Sequence, residues 1–209
     1  MKLFSQRKGF KPIKSVMQVD YMDTELRNGL WNALTLFYWN QVKGDLISQY
    51  EKMDILFKKL WFSYFKKPID TLRNLWPDTY REIREYFFNC KWYEVYDFIE
   101  FIANNYPGEY NAVNPEFMDL CNSVLERELS AYRFVGGKIT QITSEAEVSE
   151  IEEALEISKP LKAVNTHLKE ALDLLANRKS PDYRNSIKEA ISAVEAICNL
   201  ITKEKKATL

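Results

Sequence analysis

Arg184 and Asn185 stand side by side in the string Asp182-Tyr183-Arg184-Asn185-Ser186-Ile187-Lys188-Glu189. Ser180-Pro181-Asp182 in front of them reads as a helix start, with Asp182 complementing the helix dipole. An arginine beside a polar side chain at such a start can hold a phosphate, or steady the charge of a phosphorane-like transition state. Glu189 follows about one turn later. A plainer account of the same residues is capping by Asp182 and a surface ion pair from Arg184. The single histidine, His167, borders an apolar stripe on the preceding helix. It reads either as a hydrogen-bonded structural residue or as a general base. Other chemistries find no support. HExxH, GxGxxG, GxxxxGK(S/T) and GxSxG are missing, as are a cysteine cluster and a paired carboxylate–histidine spacing, so neither a metal site nor a cofactor is expected. Cys90, Cys121 and Cys198 lie far apart and read as reduced, mostly buried thiols in a cytosolic protein.

Those residues must be positioned by helices. Leu161, Val164, Leu168, Ala171, Leu172 and Leu175 recur at helical spacing, and so do Ile187, Ala190, Ile191, Val194, Ile197, Cys198 and Ile201. The two helices, joined by Asn177–Pro181, form an αα-hairpin. Each carries one narrow stripe of small and branched residues, so the hairpin needs further helices or a second copy of the chain to bury itself. A capping box, Ser144-Glu145-Ala146-Glu147, precedes a shorter helix with Val148, Ile151 and Leu155 facing inward.

Upstream the pattern is helical throughout. Asp23 caps a helix with Leu26, Leu30, Ala33, Leu34, Phe37 and Gln41 on one stripe. Leu46, Tyr50, Met53, Phe57, Leu60 and Tyr64 mark a second helix, which Pro68 stops. A third begins near Pro77 with Tyr80, Ile83 and Phe87 inward. A fourth carries Trp92, Val95, Tyr96, Ile99 and Ile102 and ends before Tyr106-Pro107-Gly108. Asn114-Pro115-Glu116 reads as a cap followed by proline at the first helical position, opening a fifth helix with Phe117, Leu120, Cys121, Val124 and Leu125 inward. Gly136-Gly137, between Tyr132-Arg-Phe-Val and Lys138-Ile-Thr-Gln-Ile, predicts a two-residue β-hairpin that sets Phe134 opposite Ile139.

The aromatic residues divide the chain. Of 29, only Tyr183 lies beyond Phe134, and the later apolar residues are Ile, Leu, Val and Ala. Two differently built cores are therefore expected: residues 1–134, a connector over 135–144, and a helical module over 145–209. The overall fold class is all-α, consistent with only 6 Gly and 7 Pro in 209 residues. With 29 basic and 30 acidic side chains, neither a polybasic nor an acidic tail dominates. The cations at Arg7, Lys8, Lys11 and Lys14, interleaved with Phe10, could touch nucleic acid but read more plainly as a solvated arm. Lys58-Lys59, Lys66-Lys67 and Lys203–Lys206 read as wet surface, and the aromatics of Trp31–Trp39 and Trp61–Phe65 as core. The N-terminus lacks the apolar segment of a signal peptide, and no apolar run approaches membrane-spanning length, so no membrane association is expected.

Particular strings add a family likeness. Phe4-Ser5-Gln6-Arg7-Lys8-Gly9, Leu26-Arg27-Asn28-Gly29-Leu30-Trp31-Asn32, Ala131-Tyr132-Arg133-Phe134-Val135 and Gln141-Ile142-Thr143-Ser144-Glu145 resemble the N-terminal domain of AbiJ-type abortive-infection proteins. Pro181–Glu189, continuing through Ser192-Ala193-Val194-Glu195-Ala196, is similar to their C-terminal module of the HEPN superfamily. The resemblance implies a bacterial antiphage protein of the cytoplasm, with a phage-derived trigger and a homodimer built on the C-terminal helices. It also implies a metal-independent endoribonuclease, whose usual motif is an arginine, a polar residue, and a histidine a turn later. Arg184 and Asn185 match the start of that motif, and Glu189 stands where the histidine would be. Relatives also imply helices past Leu209. Two functions stay open: an RNA-cleaving effector, or a non-catalytic sensor, binding or dimerisation module.

Overall fold

The computed structural model describes residues 4–10, 14–40, 47–73, 76–107, 113–142, 145–176 and 182–202. They fold into a short helix α1 (Phe4–Arg7) and longer helices α2 (Thr24–Phe37), α3 (Ile47–Lys59), α4 (Trp76–Asn89), α5 (Trp92–Asn105) and α6 (Val113–Arg127). A hairpin of β1 (Arg133–Val135) and β2 (Lys138–Thr140) follows, then α7 (Glu145–Ser158), α8 (Lys162–Leu175) and α9 (Tyr183–Thr202). The fold is all-α apart from this hairpin. The chain divides into two compact units, Met1–Gly137 and Lys138–Leu209, with the boundary inside the hairpin turn.

In the first unit, Asp23 caps α2 as its sequence predicts. Its carboxylate accepts the Leu26 N–H at 2.9 Å, satisfying one of the orphan donors of the first turn. Leu26, Leu30 and Leu34 are fully buried along α2, and Ala33 and Trp31 nearly so. Gln41 and Leu46 lie outside the described residues. Gly29 is required by packing rather than by conformation, because a Cβ there would sit 2.6 Å from the Val124 side chain of α6. Trp31 packs against Phe87, Phe88 and Tyr80, with centroids 5.0, 5.5 and 5.7 Å away. Trp39 and Trp61 are buried with it and are core, whereas Phe62, in the same expected core stretch, is 74% exposed because its turn of the helix faces solvent.

Two helix ends depart from the sequence reading. The second helix continues past Lys59 as a π-helical turn, Leu60–Tyr64, and closes with Phe65 N–H donating to the Leu60 carbonyl at 2.8 Å. Lys66 then takes the left-handed region (φ 53°), so the chain has already turned before Pro68. The fifth helix starts at Val113, one residue before the expected cap. Asn114 does other work: its Oδ1 accepts from the Tyr38 hydroxyl at 3.0 Å and its amide donates to the Tyr106 carbonyl at 3.3 Å.

A buried polar hub ties the N-terminal segment to the end of α6. Gln18 is completely buried, yet all its polar groups are used. Its backbone exchanges bonds with Leu129 O (2.8 Å) and Ala131 N (3.0 Å). Its amide donates to Glu128 O at 2.7 Å, and its side-chain oxygen accepts Asp23 N–H at 2.7 Å. Lys14 lies beside this hub, 2.5 Å from Asp23 and 2.9 Å from Glu128. It is therefore anchored to two carboxylates rather than belonging to a solvated arm; Lys11 lies outside the described residues. Burial alone would lower the Lys14 pKa, but Asp23 and Glu128 outweigh it and raise it. Burial works against Asp23 and Glu128 as well. Lys14 and the Leu26 N–H nevertheless hold Asp23 below its usual range, and Arg127 and Lys14 do the same for Glu128. Lys58 and Lys67 are also engaged, each 2.6 Å from an acid, Asp54 and Glu82. Lys203–Lys206 lie outside the described residues.

The hairpin has the predicted turn. Gly136 and Gly137 both have positive φ (56° and 84°), as a type I′ turn requires, and Phe134 and Ile139 are both buried. Asn122 of α6 clamps β1 by accepting the Phe134 N–H at 2.7 Å and donating to its carbonyl at 2.9 Å.

The second unit is simpler. The expected capping box begins at Ser144, which with Thr143 and the side chain of Val148 lies outside the described residues. Asn165 of α8 donates to Leu155 O and Ser158 Oγ of α7 at 3.1 and 2.8 Å. The helices α8 and α9 pack antiparallel along most of their length, and Val164, Ala171, Leu172 and Ala193 supply the buried apolar surface.

Candidate functional site on the last two helices

Three contacts fix the register of α8 against α9. Asp182 N–H donates to Leu174 O (3.1 Å), Ser186 Oγ to Ala171 O (2.8 Å), and the ring Nδ1 of His167 lies 2.7 Å from Glu189 Oε2. Their residue numbers rise on one helix as they fall on the other, as an antiparallel pair demands. The packed face of α9 is thus the row Ser186, Glu189, Ala193 and Ala196, at the three- and four-residue spacing of one helical face. Small residues there allow close approach to α8.

His167 lies in the matching row of α8, three residues after buried Val164 and four before buried Ala171. The imidazole and the Glu189 carboxylate are 36% and 22% exposed, so the pair sits at the border between packed helices and solvent. A carboxylate can only accept here, so in the neutral ring the tautomer that makes this bond has the proton on Nδ1 and the lone pair on Nε2. This is the geometry of an oriented general base: one ring nitrogen held by an acid, the other available for a proton.

The sequence-derived residues fall differently about this pair. Glu189 is in it. Asn185, one turn before Glu189, donates its amide to Asp182 Oδ2 at 2.6 Å, while its backbone N–H donates to Asp182 Oδ1 at 3.0 Å. Those two bonds from Asn185, and then the charge of Arg184, hold the Asp182 carboxyl below its usual range. Asp182 is therefore the cap that its position predicts. Arg184 is exposed on the first turn and, among the described residues, makes no ion pair.

Two features escape the sequence reading. The first is the His167–Glu189 contact, which spans 22 residues and depends on the register of two helices. The second is Glu170, three residues after His167. The spacing of these two does make a carboxylate–histidine pair on one helix face, and with Glu189 they bring three potential ligand atoms within 4.8 Å of one another.

The apolar stripe of α9 is present and turned outward. Ile187, Ile191, Val194 and Ile201 are 61, 46, 46 and 76% exposed. The cysteines are all free thiols. Burial is the leading influence on Cys90 and Cys121 and pushes both up, although Arg27 pulls Cys90 the other way. Neither has the depressed pKa of a nucleophile. Among the described residues, no helix is long and apolar enough to cross a membrane.

Comparison with curated proteins and with solved structures gives no match. A family profile, AbiJ N-terminal domain 4, matches residues 2–156, which takes in the aromatic unit, the hairpin and most of α7 and leaves α8 and α9 outside. The match covers well over half of the sequence, and the chain belongs to the AbiJ N-terminal domain 4 family, a domain of abortive-infection antiviral defence.

Proposed function

We propose that this abortive-infection protein acts through α8 and α9 as a metal-independent endoribonuclease of the HEPN type, working as a homodimer in the cytoplasm. The single observation that carries the reading is the 2.7 Å pair between His167 and Glu189. The histidine missing from the α9 motif has a counterpart across the helix interface, in contact with the residue that stands in its place.

In this reaction His167 Nε2 takes the proton of a ribose 2′-hydroxyl. The 2′-oxygen attacks the adjacent phosphorus, and the bond to the 5′-oxygen breaks, leaving a 2′,3′-cyclic phosphate and a 5′-hydroxyl that receives a proton from the imidazolium or from water. Glu189 holds Nδ1–H and favours the imidazolium that forms. Arg184, on the exposed first turn three residues before outward Ile187, offers its charge to the RNA backbone, and Asn185 keeps that turn capped through Asp182. The aromatic unit receives the phage-derived trigger.

Homodimerisation draws on the outward stripe of α9. Ile187, Ile191, Val194, Cys198 and Ile201 repeat alternately at four and three, the spacing of a coiled-coil seam. Lys188 and Glu195 flank the seam seven residues apart, so an antiparallel second copy sets each against its opposite charge. That observation also favours the second reading, a non-catalytic dimerisation module.

The test is incubation of bacterial RNA with the purified chain in EDTA, beside His167→Gln and Arg184→Ala. The ribonuclease reading predicts cleavage to cyclic-phosphate ends, reduced about 10²- to 10⁴-fold in His167→Gln, the usual worth of a general base. Equal cleavage by all three proteins, or none by the wild type, contradicts it and leaves the dimerisation module.

A further inference from the structure

We infer that His167, Glu170 and Glu189 form a binding site for one divalent transition-metal ion, of which Zn²⁺ is the type. A ring nitrogen of His167 and one carboxylate oxygen from each glutamate lie within 4.8 Å of one another. Around a tetrahedral zinc, donor atoms stand about 3.4 Å apart, with metal–ligand distances near 2.0–2.1 Å. The gap to be closed is small and falls on the freer side chain, since Glu170 is exposed at the surface of α8 while His167 and Glu189 are half-buried.

The backbone frame for the site is already set. His167 and Glu170, three apart, share a face of α8, and Glu189 comes across from α9. The bond from Ser186 Oγ to Ala171 O, at 2.8 Å one turn away, fixes the register that brings them together. Two carboxylates balance the charge of a divalent ion, and the imidazole selects zinc-like metals over magnesium, which prefers an octahedral oxygen shell. Three protein ligands leave a fourth tetrahedral position for water. In the ion-free protein the proton on Nδ1 takes the place that the metal would take between ring and carboxylate.

A consequence follows that rests on the ribonuclease reading. Metal on either ring nitrogen removes the arrangement in which Nδ1–H faces Glu189 and Nε2 is free, so Zn²⁺ would switch RNA cleavage off. Uptake of the metal does not depend on that reading.

The experiment titrates the full chain with Zn²⁺ against a chromophoric chelator and records the imidazole ¹⁵N shifts of the lone histidine. One ion per chain is expected, with movement of both ring-nitrogen signals. Glu170→Gln should weaken binding by at least about tenfold, the loss already seen when only an outer-shell partner is removed. His167→Gln should abolish it. No uptake, or uptake unmoved by both substitutions, overturns the site. Glu170→Gln keeps the His167–Glu189 pair, so the metal-free cleavage it retains should no longer be inhibited by Zn²⁺. Uptake that depends on Glu170 in a protein that never cleaves RNA would retain the metal site and reject the ribonuclease. Cleavage without uptake would do the reverse.

Discussion

The two units of this chain solve the burial problem in opposite ways. The first surrounds large rings with more rings and pairs buried polar groups such as Gln18 and the Tyr96–Ser130 hydroxyls (2.9 Å), while the buried Trp39 indole N–H has no hydrogen-bond partner among the described residues. In the second, the α8–α9 interface joins Val164 and Leu172 of α8 and alanines of both helices with Ser186, His167 and Glu189, while the branched residues of α9 point outward. A helix organised only for stability would be turned the other way. The contrast leaves stability with the aromatic unit, and the helical pair with the proposed chemistry and partner contact.

The contrast can be broken most forcefully in the aromatic core. Trp61 is fully buried, and Trp61→Ala should cost about 3–5 kcal/mol of unfolding free energy, read by chemical denaturation. Gln18→Leu comes next. It strands the Glu128 carbonyl and the Asp23 N–H, and should cost about 2–3 kcal/mol. A loss below about half a kcal/mol would mean that the hub is not structural.

The Lys14 cluster has a smaller effect with a pH signature. Asp23 and Glu128 have depressed pKa values in the folded protein, so their contribution is present above the ordinary values of 3.8 and 4.5 and is lost as pH falls through the folded ones. The Lys14 pKa is raised, so its share persists below 10.5 and fades only as pH rises through the folded value. Lys14→Met should therefore cost about 1 kcal/mol at neutral pH and progressively less below the carboxylate range. A difference from wild type that stays constant down to pH 3 would assign the effect to packing instead.

The smallest change in stability belongs to α9. Ile191→Glu alters an outward residue and should shift monomer unfolding by less than about 0.5 kcal/mol. The same substitution should convert the proposed dimer to monomer in sedimentation velocity. A wild type that is monomeric at every concentration removes the seam.

Much of the fold was legible because it is decided locally. Asp23 before an apolar stripe and two glycines between short β-rich strings each specify their own geometry, and both appear as read. The start of α6 was misread because Asn114 has a tertiary use, holding Tyr38 and Tyr106, that outweighs its preference for capping. The helix before Pro68 ends earlier because Lys66 turns left-handed first. The candidate site was only half legible. Arg184, Asn185 and Glu189 follow from one continuous string, and the Asp182 cap with them. The His167 contact depends on how α8 slides along α9, which no local pattern encodes. Its one trace in the sequence is a polar residue within an otherwise small-residue row on each helix: His167 between Val164 and Ala171, and Glu189 between Ser186 and Ala193.

The most direct test is the tautomer of the chain's single histidine, measured by long-range ¹H–¹⁵N correlation at a pH where the ring is neutral. The predicted result is Nδ1–H with an unprotonated Nε2 in the wild type, reverting to the common Nε2–H form in Glu189→Ala. Nε2–H in the wild type would contradict the pairing of His167 with Glu189, and with it the general base on which the proposed ribonuclease depends.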